Sequence, residues 1–274
     1  MKNLYGKNMT GIWKELCKSM ENETNITLGM DGQPTKHRGE YYIHPYDYFM
    51  FADSVEAPGL YLEDVGYSTS GAKMRGLLSK YLDEDQVKNW LKFIKKVFNE
   101  RPEVRGEIYL QTKLQTKVKG GCLVGFMYRH SGDHGVEPTL IVISRSIEMP
   151  AKAMADILLI SALGKLLCRV LNIKDLRVQW YTTSVVMPGR RAYLYVIYKW
   201  PKKVRFANKL YQDYINKGWA KYYLSDFEFS YSTNIRTKKF FERKRAGELK
   251  RVSDFQAFYR KLLEYIGEKD DKTE

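Results

Sequence analysis

The stretch from Ile141 to Leu171 constrains this chain more than any other. It begins as a short β-branched run, Thr139 to Ile143, which suits a buried strand. Arg145 and Ser146 follow, and then Pro150, a residue well tolerated in the first turn of a helix. The predicted helix beyond it is apolar on nearly every side, through Ala153, Met154, Ile157, Leu158, Leu159, Ile160, Leu163, Leu166, Leu167, Val170 and Leu171. A helix without a polar face belongs in the middle of a protein. Two carboxylates, Glu148 and Asp156, interrupt it near its start, with Arg145 beside them. An unpaired buried carboxylate is costly, so these groups call for partners or a ligand. The plain structural alternative is that Glu148 favours the helix N-terminus and that Asp156 bonds to nearby backbone.

Length and composition bound what surrounds that helix. A chain of 274 residues with 44% hydrophobic content is ample for one large domain, or one domain with an extension. No apolar run is long enough to span a bilayer and no signal-peptide core is visible, so the expectation is a cytosolic protein without membrane contact. Cys17, Cys122 and Cys168 form an odd, widely spaced set, which argues against a disulfide framework and against a zinc site. His130 and His134 share a segment with Asp133 that reads as a flexible turn, and no metal is expected. The formal charge of +14 fits a polyanionic partner, DNA or RNA among them, or a nucleotide enzyme with a basic surface.

Taken in order, residues 4–22 read as a helix around Ile12, Trp13, Leu16 and Met20. Asn25 to Glu40 is a polar, glycine-punctuated loop in which Lys36, His37 and Arg38 are placed to grip a phosphate or simply to face solvent. The aromatic run Tyr41 to Phe51 is expected to pack against the sheet. Asp83 or Glu84 opens a helix with Val87, Trp90, Leu91, Ile94 and Val97 on one face. Strands are predicted over 103–112, 121–128, 176–186 and 190–198. A last helix, Phe255 to Ile266, should dock on the body. Residues 1–200 therefore read as a core and 201–274 as a basic, mainly helical extension with 18 Lys+Arg against 11 Asp+Glu. Within that extension Lys238, Lys239, Arg243, Lys244 and Arg245 interleave with Phe240 and Phe241, a pattern able to meet phosphates and stacked bases.

Several motifs fall in a familiar order. Gly71 to Arg75 is similar to a Y-G-x-x-x-R turn, and Asp85-Gln-Val to a D-Q-(I/L) helix start. Arg101-Pro-Glu-Val-Arg105 is similar to P-x-S-R-R, Gly121-Cys122 stands where Pro-Cys-His would fall, and Ser144-Arg145-Ser146-Ile147-Glu148 is similar to Q-R-S-x-D. Asp156 lies where an Asn or Asp is usual. In these features, over about residues 66–186, the chain resembles the thymidylate synthase and deoxynucleotide hydroxymethylase family.

The resemblance implies an α+β fold in which a thymidylate-synthase-like mixed sheet packs on the buried central helix. It implies a folate-dependent one-carbon transfer to C5 of a pyrimidine nucleotide, with 5,10-methylenetetrahydrofolate as donor. Cys122 and Glu148 would be catalytic. Arg145, Ser146, Asp156, Arg105 and Arg38 would bind substrate, with Arg105 reaching the phosphate across a homodimer interface. The residues make chemical sense in those roles. Alkylation at C5 needs a nucleophile at C6, and a thiolate is the strongest one a protein offers near neutrality. A guanidinium holds a phosphate bidentately. An acid facing the base edge suits the exocyclic amine of cytosine, which favours a dCMP-type substrate and hydroxymethylation over dUMP and methylation.

Departures support an alternative, a catalytically lapsed member that binds nucleic acid. Leu123 replaces the His, Ser144 the Gln and Glu148 the Asp. The segment Trp180 to Val186 lacks the sugar-binding His and Tyr, and no E-L-x-W helix is found. Composition and charge would suit a virus-encoded protein. If the basic run binds single-stranded DNA or RNA, neutralising Lys238, Lys239, Arg243, Lys244 and Arg245 together is expected to weaken binding and to flatten its salt dependence by about 0.7 in log–log slope per lost phosphate contact. Filter binding at several salt concentrations reads this directly, and unchanged curves would assign the run to a solvated face.

Overall fold

The computed structural model describes residues 1–22, 47–60, 71–100, 108–111, 122–131, 136–149, 151–186 and 254–268. They form a mixed α+β structure. In chain order the elements are β1 (Lys2–Gly6), α1 (Met9–Asn22), β2 (Tyr48–Ala52), α2 (Gly71–Tyr81), α3 (Glu84–Glu100), β3 (Ile108–Gln111), β4 (Leu123–Ser131), β5 (Val136–Ser144), β6 (Ile147–Glu148), α4 (Ala151–Leu171), β7 (Arg177–Thr182), β8 (Val185–Val186) and α5 (Asp254–Tyr265). Six strands make one sheet in the order β1-β2-β7-β5-β4-β3, and β6 pairs with β8. The pairs β1–β2 and β5–β7 are parallel and the other pairs of the large sheet antiparallel. Each parallel pair needs a crossover. Helix α4 makes the one between β5 and β7, and α1 lies on the connection between β1 and β2.

The apolar helix is where its sequence requires it to be. From Ala153 to Leu163 every side chain of α4 is buried, because α1, α3 and α5 all pack on it over the sheet. The sheet presents Tyr48, Met50, Phe126, Tyr128, Leu140, Val142, Val178 and Trp180 to the same core. Trp180 satisfies its indole there by donating to Ser144 Oγ at 2.9 Å. At its C-terminal end α4 stops at Asn172, whose φ of 53° allows the Ile173 amide to turn back to the Cys168 carbonyl at 3.0 Å. Asp83 caps α3 as expected, accepting from the Gln86 amide through Oδ1 at 3.2 Å. Phe255, Phe258, Leu262, Leu263 and Ile266 of α5 are buried in the common core, so this last helix docks on the body.

Four expectations change. Residues 4–6 belong to a strand, not to the first helix, which starts at Met9 after a turn so tight that a Cβ on Gly6 would lie 2.6 Å from the Ile12 amide nitrogen. The aromatic residues Tyr48 to Phe51 are not packed on the sheet but form its second strand. Gly71 to Arg75 is the first part of helix α2 rather than a turn. His130 is not in a loop: β4 continues to Ser131, which pairs with Val136, and the inward alternation Phe126, Tyr128, His130 buries the imidazole. Its ring sits 4.9 Å from Phe98 and 5.3 Å from Tyr128, both centroid distances. Burial lowers its pKa accordingly. The basic run, the Asn25–Glu40 segment, the predicted 190–198 strand and the 200/201 boundary lie outside the described residues.

Among the described residues no helix is long and apolar enough to cross a membrane, and no cluster of His, Cys, Asp or Glu is placed to hold a metal ion. One contact within the core is tight enough to test. Gly164 of α4 faces Val55, and a Cβ there would sit well inside contact distance of Val55 Cγ2 and 3.1 Å from its Cβ. Alanine normally gains about 1 kcal/mol over glycine in a helix. Here the overpacking cost of about 1–3 kcal/mol should win, because Val55 is fully buried and stiff. Gly164→Ala is expected to lower the urea midpoint, and Val55→Ala in the same chain to recover most of the loss. Simple additivity of the two changes would show that the helix shifts instead.

Candidate functional site at the strand ends beside the buried helix

Strands β5 and β7 run parallel and end together, Ser144 opposite Thr182, while β4 starts beside them with Leu123 opposite Ser144. The carboxyl ends of parallel strands are a recurrent place for ligands, since the crossover helix starts there and its N-terminus points at the gap. Cys122 directly precedes β4. Its carbonyl accepts from the Arg145 amide at 2.8 Å, which locks the two segments together. Ser146 then donates to Cys122 Sγ at 3.6 Å. The Arg145 carbonyl is held in turn by the hydroxyls of Thr183 and Ser184 from the β7–β8 turn.

Asp156 sits on the second turn of α4 and is 1% exposed. Burial pushes its carboxyl up from the ordinary 3.8 to about 7. The nearby Lys80 and Lys152 ammonium groups work against that rise, Glu148 adds to it, and the Tyr81 hydroxyl opposes it a little. Cys122 is half-buried. Burial raises its thiol, the Asp156 charge raises it further, and Ser146, Lys152 and Lys80 pull it down. Thiol and acid therefore sense one another, and both sense the same two lysines. Two acids in such contact do not both ionise cheaply. The thiolate is favoured when Asp156 is neutral.

Of the residues the sequence singles out, Ser146 thus touches the thiol at the strand end, and the Asp156 charge acts on it from the second turn of α4. Glu148 lies in β6 at the entrance to α4 and forms an ion pair with Lys152 one helical turn on. The Arg145 side chain is exposed on the rim. Arg105 and Arg38 lie outside the described residues. Cys168 is core, 3% exposed, its thiol pushed up to about 12 mainly by burial.

Three participants were not anticipated. Lys152 was legible, because Glu148, Lys152 and Asp156 recur every four residues, the spacing of one helix face. Lys80 and Tyr81 come from the end of α2, and nothing in their local sequence points across to α4. No family model matches the chain, and no curated protein matches it either.

The buried acid has a measurable consequence. Its folded-state value lies above the ordinary one, so the stability it contributes as a neutral acid is complete below about pH 4 and is lost as pH rises through about 7. Asp156→Asn removes that dependence. Urea unfolding from pH 5 to pH 8 is expected to show the natural protein losing on the order of 2–4 kcal/mol relative to the Asn variant across the window. Parallel profiles would mean that the carboxyl is hydrated.

Proposed function

We propose that this chain is a pyrimidine nucleotide C5 one-carbon transferase of the thymidylate synthase and dCMP hydroxymethylase type, with dCMP as the favoured substrate. The observation that carries the reading is the contact of Ser146 with a half-buried Cys122 thiol at one strand end, where the charge of the buried Asp156 also acts. In this reading the Cys122 thiolate adds to C6 of the base and makes C5 nucleophilic. Once C5 has gained its one-carbon unit, loss of the C5 proton and departure of the thiolate restore the ring. Asp156 reads the base edge, and as a nearly neutral acid it both donates to N3 and accepts from the amine of cytosine. Arg145 on the rim takes the phosphate, aided by the helix N-terminus. Arg105 from a second copy would complete that clamp, which makes the active form a homodimer.

The resemblance also implies methylenetetrahydrofolate as donor. The polar and charged set around Cys122 suits a base and a phosphate better than a flat pterin, and Tyr81, its aromatic member, is buried at 2% exposure. No step above is therefore assigned to folate-binding residues. A second reading has its own support: burial and Asp156 raise the Cys122 thiol, which is unfavourable for a resting nucleophile and fits a chain that has kept the fold while its chemistry lapsed.

Release of tritium from C5-labelled dCMP and dUMP separates the two. The enzyme reading expects release from dCMP in excess of dUMP and its fall to background in Cys122→Ala. Equal release by protein and variant, or none from either nucleotide, would leave the lapsed reading standing.

A further inference from the structure

Helix α3 has two faces that answer to different demands. Val87, Trp90, Leu91 and Ile94 are buried and hold it to the body. The opposite face carries Asn89, Lys92, Phe93 and Lys96, all exposed, with Lys95 exposed on its flank. Helical spacing sets Asn89, Phe93 and Lys96 in one line along the axis, with Lys92 beside it. At the start of the helix Lys88 is neutralised by its ion pair with Glu84 at 2.6 Å. Lys92, Lys95 and Lys96 form no ion pair. The acidic residues of α3, Glu84, Asp85 and Glu100, stand at its two ends and leave the middle wholly basic. Lys88 and Lys92, and again Lys92 and Lys96, are four residues apart, a spacing at which like charges repel and weaken a helix. Within this basic stretch Phe93 is 54% exposed, the one exposed phenylalanine among the described residues. A single ring in water is ordinary. A ring set between unpaired ammonium groups on one helix face is a stacking surface with phosphate partners at hand.

We propose that the outer face of α3 binds single-stranded nucleic acid, Phe93 stacking on one base while Lys92, Lys95 and Lys96 meet the phosphates beside it. The proposal stands apart from the nucleotide reading and from the basic run at 236–251. A polyanion laid along α3 relieves the lysine repulsion and releases its own counterions, and the net charge of +14 steers it in. The exposed ring selects the single strand. Bases inside a duplex have both faces covered by their neighbours, whereas an unpaired base offers a face to an aromatic side chain. An anionic membrane suits this surface less well. A helix that lies in the interface inserts a broad apolar face, and the apolar face of α3 is already spent on the core, which leaves Phe93 alone to insert.

Fluorescence anisotropy with a labelled mixed-sequence strand of about 12 nucleotides, within the span such surfaces cover, tests this, once as DNA and once as RNA. The full chain is used, with its basic run intact throughout. Replacing Lys92, Lys95 and Lys96 together by Gln is expected to weaken binding and to lower the log–log salt slope by about 2, three phosphate contacts at about 0.7 each. Phe93→Ala is expected to weaken binding roughly 5- to 100-fold at an unchanged slope, since stacking releases no counterions. Phe93→Tyr should restore it. All four side chains are exposed, so the variants keep the fold, and the triple variant should gain slightly in urea midpoint as the like charges go. Binding of either strand with this split between slope and affinity supports the proposal, and the ratio of the DNA and RNA affinities tells whether the sugar is read. Binding that neither variant changes, or no binding at all, overturns it. A duplex that competes as well as the single strand, with Phe93→Ala unaffected, overturns the stacking role. Flotation with phosphatidylglycerol vesicles that is lost in the triple variant, without any strand binding, overturns the nucleic-acid assignment in favour of a membrane surface.

Discussion

A helix with no polar face has to be surrounded, and most of this architecture follows from meeting that demand for α4. Each Leu or Ile brought out of water there contributes about 1.5–3 kcal/mol, and from Ala153 to Leu163 nothing is left exposed. One sheet face covers one side of the helix, while α1, α3 and α5 cover the rest. The C-terminal helix is therefore as much part of the core as the strands, although the chain between it and the sheet differs from both in composition. Because α4 is also the crossover between β5 and β7, its N-terminal turns are delivered to the carboxyl ends of those strands. Cys122 reaches the same place by a different route, at the start of the antiparallel strand next door.

What could be read from the sequence divides along the length scale of the signal. Helices α3, α4 and α5 carry their periodicity over three turns or more, and their faces came out as expected, from Val87 to Ile94 and from Phe255 to Ile266. The inner strands β4, β5 and β7 were legible from β-branched and aromatic residues. Failures cluster where a short element depends on its neighbours. Strand β1 has five residues and leads straight into α1, so the apolar spacing of the helix drew in Leu4. Strand β2 is aromatic on both faces, which hides its alternation. Helix α2 opens with a glycine and holds another at Gly76, a poor advertisement for a helix that tertiary packing nonetheless supports. His130 was missed because Ser131, Gly132 and Gly135 read as turn residues, which hides the continuation of β4 to Ser131.

The site shows the same division. Cys122, Ser146 and Asp156 were visible as motif positions, whereas Lys152 was missed although it stands four residues from both Glu148 and Asp156. Tyr81 and Lys80 were invisible because their relation to Asp156 is made by the packing of α2 against α5 and of α5 against α4. No property of residues 71–81 alone encodes that relation. The central helix is thus readable one-dimensionally, whereas the groups that tune the acid on it are not.

The burial that secures the fold also sets the charge state at this strand end. A carboxyl inside the core stays largely neutral up to about pH 7 because water cannot reach it. Were it ionised at lower pH, it would repel the thiolate beside it and cost the helix much of its advantage in being buried. Two lysines close by offset part of this for whichever of the two acids carries the charge. The arrangement therefore disfavours two negative charges at once, one on sulfur and one on carboxyl. A carboxyl kept neutral removes the charge that adds to the burial in raising the thiol. On the proposed reading, a base edge bonded to Asp156 would keep it neutral, so that recognition of the base and relief of the thiol coincide.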